Sequence, residues 1–161
     1  MRKRISCLLG LLLLAMFVLP WGAQVQAEKA GTAEGDWEYS LDQESRTAAV
    51  TAYHGSGQAV TIPEMLGGCP VTAIGSEAFR GNTSMSAVTM PDTVTVIGDK
   101  AFADCNALTD VFFSQGLTEI EASAFEGSKV KSVTIPDSVT YIGPYAFRNC
   151  TGLRSLDLGS G

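Results

Sequence analysis

Apolar and polar positions along residues 59–161 repeat with a common period at two separate landmarks. An Ile-Gly step falls at Ile74, Ile97 and Ile142, with Ile120-Glu121 in its place once, and these isoleucines are 23, 23 and 22 residues apart. An Ala-Phe step ends at Phe79, Phe102, Phe125 and Phe147, with the same three spacings. Chance rarely keeps two registers in step, so the segment is an array of repeats. Each repeat also carries a hexamer with apolar first, fourth and sixth positions: Met85-x-x-Val88-x-Met90, Leu108-x-x-Val111-x-Phe113, Val130-x-x-Val133-x-Ile135 and Leu153-x-x-Leu156-x-Leu158. The last three residues of each hexamer alternate and predict a short strand. Pro63, Pro91 and Pro136 cannot donate to a ladder, so they end strands. The Ile-Gly-x-x-Ala-Phe run predicts a turn through Gly, with Ala-Phe on a helical or 3₁₀ turn. The four phenylalanines are expected to stack in one file. The first repeat holds five extra residues between Pro63 and Ile74, including Gly67-Gly68-Cys69-Pro70, which read as a loop.

The hexamer is the leucine-rich-repeat signature, at a period inside its range of roughly 20–29 residues. One repeat is too small to bury its own apolar face, and stacking closes a continuous core. The predicted fold is therefore a leucine-rich-repeat solenoid over residues 59–161, with about four repeats and a fifth begun: a right-handed β/α superhelix of short parallel strands. Upstream, Trp37, Tyr39 and Leu41 alternate with polar residues, a polar turn follows, and Thr47 to Tyr53 is rich in β-formers. Residues 37–58 are thus expected to form a β-hairpin that caps the stack. Residues 28–36 are polar and Gly/Ala-rich and read as a linker.

Residues 1–27 read as a secretory signal peptide: Arg2, Lys3 and Arg4, a 13-residue apolar run from Cys7 to Leu19, then Val25-Gln26-Ala27 at the expected cleavage site. The run is short against the ~20 residues that a membrane span needs, so no span is expected after cleavage. The remaining chain holds 8 Lys and Arg (11 less 3) against 17 Asp and Glu, a net charge of −9. Such a balance opposes nonspecific nucleic-acid binding.

Cys69, Cys105 and Cys150 remain, an odd number and a poor disulfide framework. Cys105 and Cys150 occupy one repeat slot two repeats apart, roughly 10 Å by strand spacing, too far to bridge. Asn82 and Ser128 hold that slot elsewhere, and leucine-rich repeats use Asn or Cys there for backbone contacts. Cys105 and Cys150 thus read as buried structural thiols. The role of Cys69 is left open.

The run Ser132-Val133-Thr134-Ile135-Pro136-Asp137-Ser138-Val139-Thr140-Tyr141-Ile142-Gly143, with Ala146-Phe147-Arg148-Asn149-Cys150, closely resembles the BspA-like leucine-rich repeats of bacterial surface and secreted proteins. The resemblance covers residues 59–161. It implies a secreted or cell-surface, non-enzymatic adhesion or interaction protein whose partner is a protein, such as a host matrix or cell-surface protein. It transfers no catalytic residue and no cofactor. Repeat three departs from the pattern, with Phe113-Ser114-Gln115-Gly116 and Ile120-Glu121. Its turn geometry is in question, its register is not.

No catalytic set stands out. His54 is the sole histidine and sits in a Gly/Ser turn, where a solvated loop role is expected. His54, Cys69, Cys105 and Cys150 are too scattered for a zinc site. There is no phosphate-binding loop, and Glu119 with Glu121 reads as a solvated pair. The candidate binding surface is instead the outward positions of the hexamers, expected on the concave side. One row is Thr89, Phe112, Thr134 and Asp157; a second is Ala87, Asp110, Ser132 and Ser155; a third is Ser86, Thr109, Lys131 and Arg154. Phe112 is the large aromatic of this face: either a hot spot, or a ring packed along its Thr neighbours that binds nothing. Lys131 and Arg154 either receive an acidic partner or balance Asp110 and Asp157. The expected binding residues are Thr89, Asp110, Phe112, Lys131, Thr134, Arg154 and Asp157. The alternative is that the repeats are a spacer in a longer cell-envelope protein.

Overall fold

The computed structural model describes residues 32–159. The signal peptide read over residues 1–27, and residues 28–31 of the expected linker, lie outside the described residues. The chain begins with β1 (Thr32–Glu34), β2 (Trp37–Asp42) and β3 (Thr47–Tyr53). From residue 59 it coils. The first coil holds β4 (Ala59–Thr61), β5 (Met65–Leu66) and β6 (Cys69–Ile74). The next three coils hold β7 (Ala87–Thr89) with β8 (Val96–Ile97), β9 (Asp110–Phe112) with β10 (Glu119–Ile120), and β11 (Ser132–Thr134) with β12 (Tyr141–Ile142). β13 (Ser155–Asp157) opens the fifth.

Two files of parallel strands result, where the sequence predicted one. The hexamer strands form β4-β7-β9 and, separately, β11-β13, with Val60, Val88 and Val111 in register and Val133 opposite Leu156. The isoleucine steps, expected to lie in turns, form the second file, β6-β8-β10-β12, with Ile74, Ile97, Ile120 and Ile142 in register. Ile74, Ile97 and Ile120 and the hexamer valines line the shared core, with Val88, Ile74, Ile97 and Ile120 fully buried, while Ile142 in the last coil is exposed. Alternating Thr95, Thr118 and Thr140 extend the order outside the core: each hydroxyl donates to the carbonyl one coil back, from Thr95 to Thr72, Thr118 to Thr95 and Thr140 to Thr118.

The phenylalanines stand in file as expected. Ring centroids are 4.8 Å apart from Phe79 to Phe102, 5.1 Å from Phe102 to Phe125 and 5.2 Å from Phe125 to Phe147, with planes within 14° of parallel. Each such pair adds about 0.5–1.5 kcal/mol to the burial of its rings. Tyr53 continues the file at 5.4 Å from Phe79, and Trp37 meets Tyr53 at 4.6 Å.

Two expectations about the N-terminal segment are corrected. β2 and β3 pair antiparallel, but they do not form a separate hairpin cap. β1 pairs β2, and β3 joins β6 in parallel, so these strands are one edge of an eight-stranded sheet. Thr32–Glu34 belongs to that sheet as β1, not to a linker, because its residues pair with Trp37 to Tyr39 of β2. Short polar residues hid the strand in the sequence.

The Ala-Phe turns are also corrected. No helix or 3₁₀ segment occurs among the described residues. A helix needs consecutive right-handed residues, and here left-handed ones interrupt at fixed slots: Glu77, Lys100, Ser123 and Tyr145, then Gly81, Asp104, Gly127 and Asn149, with φ between 52° and 72°. Every other N–H is thereby turned along the stack. Lys100, Phe102 and Asp104 donate to the carbonyls of Ala122, Ala124 and Glu126 at 2.7–3.0 Å. The intervening N–H groups close tight turns, as from Ala101 to Gly98 and Ala103 to Lys100. The coils are thus bonded to one another on the turn side as well as in the strands.

The five-residue insertion is not an open loop. Met65–Leu66 pairs antiparallel with Cys69–Pro70, and Gly67 and Gly68 are both left-handed, at φ 58° and 77°. Two such residues between strands make the turn whose twist matches that of a hairpin. Cys69 is fully buried there.

Candidate functional site

All seven predicted binding residues are exposed: Thr89, Asp110, Phe112, Lys131, Thr134, Arg154 and Asp157. Period-2 alternation places them. In β9 the residues flanking Val111 point outward, so Asp110 and Phe112 share a face, and in β11 and β13 Thr134 stands opposite Asp157. Phe112 is 58% exposed, although Thr89 is its register partner. The ring is therefore not covered by its Thr neighbours.

The strand file is interrupted between β9 and β11. The coil between them is one residue short: Ser128 and Val130 are two apart, whereas Cys105 and Leu108, like Cys150 and Leu153, are three apart. Met90 N–H to Phe112 carbonyl and Ile135 N–H to Asp157 carbonyl, at 3.0 and 2.8 Å, close the intact pairs. Among the described residues no such bond leaves Phe113. A groove of about 590 Å³ lies across the break. Asp110, Phe112, Thr134 and Asp157 line it, and Phe113, Ile135 and Pro136 contribute apolar wall. Thr89, in β7, and Lys131 and Arg154, which immediately precede β11 and β13, do not line the groove.

Among the described residues the charges of the groove have one sign: Asp110, Asp137 and Asp157 line it, and no Lys or Arg does. Asp110 accepts a hydrogen bond from the Thr109 hydroxyl at 2.6 Å, and Asp157 accepts one from Gly159 N–H at 3.1 Å. Neither Lys131 nor Arg154 forms an ion pair with them among the described residues. On the turn side, a smaller cleft of about 270 Å³ differs in kind. Both signs line it, and its Arg80 meets Asp104 at 3.9 Å and, beside the cleft, Glu77 at 2.7 Å.

The repeat pattern of BspA type leucine rich repeat regions matches residues 72–161 in six copies, more than half of the chain. The chain belongs to the BspA-type leucine-rich-repeat family. Solved structures agree. A leucine-rich repeat protein from Bacteroides capillosus is 32% identical, with TM-score 0.71 over 79% of this chain and 96% of that one. A leucine rich repeat protein of T. pallidum is 29% identical, with TM-score 0.65 over 79% of this chain and 71% of that one. The pneumococcal vaccine antigen PcpA, 24% identical, shares the fold with TM-score 0.68 over 80% of this chain and 38% of that one. No curated protein matches the chain.

The other chemistry-bearing side chains singled out in the sequence of this BspA-type chain lie apart from the groove. His54 is exposed and its Nε2 lies 2.9 Å from Glu38 Oε1. Among the described residues no three His, Cys, Asp or Glu side chains are grouped to hold a metal. Cys105 and Cys150 are free and buried, and each thiol donates to a carbonyl of a preceding coil, Phe79 and Phe125, at 3.1 Å. Burial pushes the Cys105 thiol up to about 12 and raises that of Cys150. Asn82 fills the same slot by accepting from the N–H groups of Ser84 and Met85. Glu119 and Glu121 do not pair: Glu119 is exposed, while Glu121 accepts the Asp99 N–H at 2.9 Å. Ser114, in the departing third repeat, is buried and donates to the Val94 carbonyl at 2.6 Å. Sequence reasoning missed Asp137 and Gln115 at the groove. They follow the strands, and only the missing residue in the third coil hinted that the sheet opens there.

Proposed function

We propose that this chain is a non-catalytic protein-interaction module, exported to the cell surface or beyond, that holds a protein partner on the exposed face of β9, β11 and β13. The groove beside the exposed ring of Phe112 is the observation that supports this reading most. It combines an aromatic anchor, apolar wall and polar rim, the anatomy of a contact surface. Family membership supports it, since repeats of this kind present extended surfaces rather than enclosed reaction sites. The N-terminal 27 residues, with a cationic start and an apolar run, support export. The partner is a matrix or cell-surface protein.

The test is capture of partners from matrix and cell-surface extracts by the protein and by its Phe112→Glu/Thr134→Glu variant. Both side chains are exposed, so the variant keeps its fold. The reading expects at least a tenfold drop in captured partner. Undiminished capture would remove the face from consideration and favour the spacer role.

A further inference from the structure

We propose that the groove at the break between β9 and β11 takes an arginine-bearing segment of the partner, a guanidinium lying on the Phe112 ring and bonding Asp110, with Asp157 adding negative charge from the far side of the groove. This rests on the reading of the face as a contact surface and adds the chemistry of what it contacts. Charge complementarity identifies the occupant. Asp110 and Asp157 line the groove, no cation does among the described residues, and Lys131 and Arg154, though nearby, pair with neither of the two. Asp110 and Phe112 lie two residues apart on the outward side of one strand, so carboxylate and ring face the same space. Asp157 approaches from β13 opposite Thr134. A planar guanidinium can stack on a ring and bond a carboxylate through its fork at once, which an ammonium cannot. The chain already holds one such contact, with the Arg148 guanidinium 5.1 Å from the centre of the Tyr145 ring.

The experiment titrates the isotope-labelled protein with tetra-arginine, tetra-lysine and tetra-glutamate peptides at low salt and follows amide shifts by NMR. Tetra-arginine is expected to shift β9, β11 and β13, to bind more tightly than tetra-lysine, and to release as salt is added. Asp110→Asn/Asp157→Asn is expected to weaken it about tenfold, and Phe112→Leu about threefold. Glu44→Gln/Glu64→Gln removes the same charge from exposed sites elsewhere and is expected to leave binding unchanged. Shifts spread over the whole acidic surface, equal loss in the two double variants, or preference for tetra-glutamate would each overturn the proposal. Should capture depend on Phe112 while tetra-arginine fails to settle here, the interaction face stands and the basic partner falls. Should tetra-arginine settle here while capture ignores Phe112→Glu, the interaction reading falls instead.

Discussion

At the scale of single residues, position in the coil decides what each aromatic does. Phe102 has no exposed surface and a ring on either side; Phe112 is 58% exposed. Phe102→Ala is expected to cost about 3–5 kcal/mol in urea unfolding, and Phe112→Ala less than about 0.5 kcal/mol. Equal costs would contradict the division into core and surface. Cys105 offers a second check. Its thiol is raised from 9.0 to about 12 in the folded chain, first through burial. A raised pKa means that the folded state holds its proton longer than the unfolded state. Below pH 9 the thiol therefore leaves stability unchanged, and stability falls as pH rises from 9 towards 12. The fall in unfolding free energy over that window is expected to be smaller in Cys105→Ala. At pH 8 the native thiol is expected to resist alkylating reagents until urea unfolds the chain.

At the scale of elements, the turn side is as regular as the strands, and the sequence hid it. The slot at Gly81, Asp104, Gly127 and Asn149 holds residue types that accept a left-handed backbone, which was a readable signal. The slot at Glu77, Lys100, Ser123 and Tyr145 holds types that do not, so no local preference announced it. The N–H bonds between coils hold those residues in place, which is why the expected 3₁₀ turns do not form. Gly81 has open space around its α-carbon and φ +71°, so Gly81→Ala tests backbone conformation alone. It is expected to lower stability by about 1 kcal/mol, while Gly81→Asn stays near neutral. β8, β10 and β12 were missed because two residues are too few to show alternation. Glu121 stands where other coils have Gly, and the bond from Asp99 N–H to its carboxylate shows how the coil accommodates it.

At the scale of the molecule, the shared core was legible because two registers with one period leave little choice of fold, and the file from Phe79 to Phe147 follows directly. The exposed face was legible too, since alternation in three-residue strands fixes which side chains point out. The groove was not, because it depends on a ladder broken by one missing residue, and pairing between β9 and β11 is a long-range property. The central claim is that partners meet the molecule at this break. Hydrogen exchange of the protein with a captured partner tests it most directly. The account predicts slowed exchange at residues 110–116, 132–137 and 155–159, with β8, β10 and β12 unchanged. Slowed exchange confined to the β8-β10-β12 side or to the turns, with none around Phe112, would contradict it.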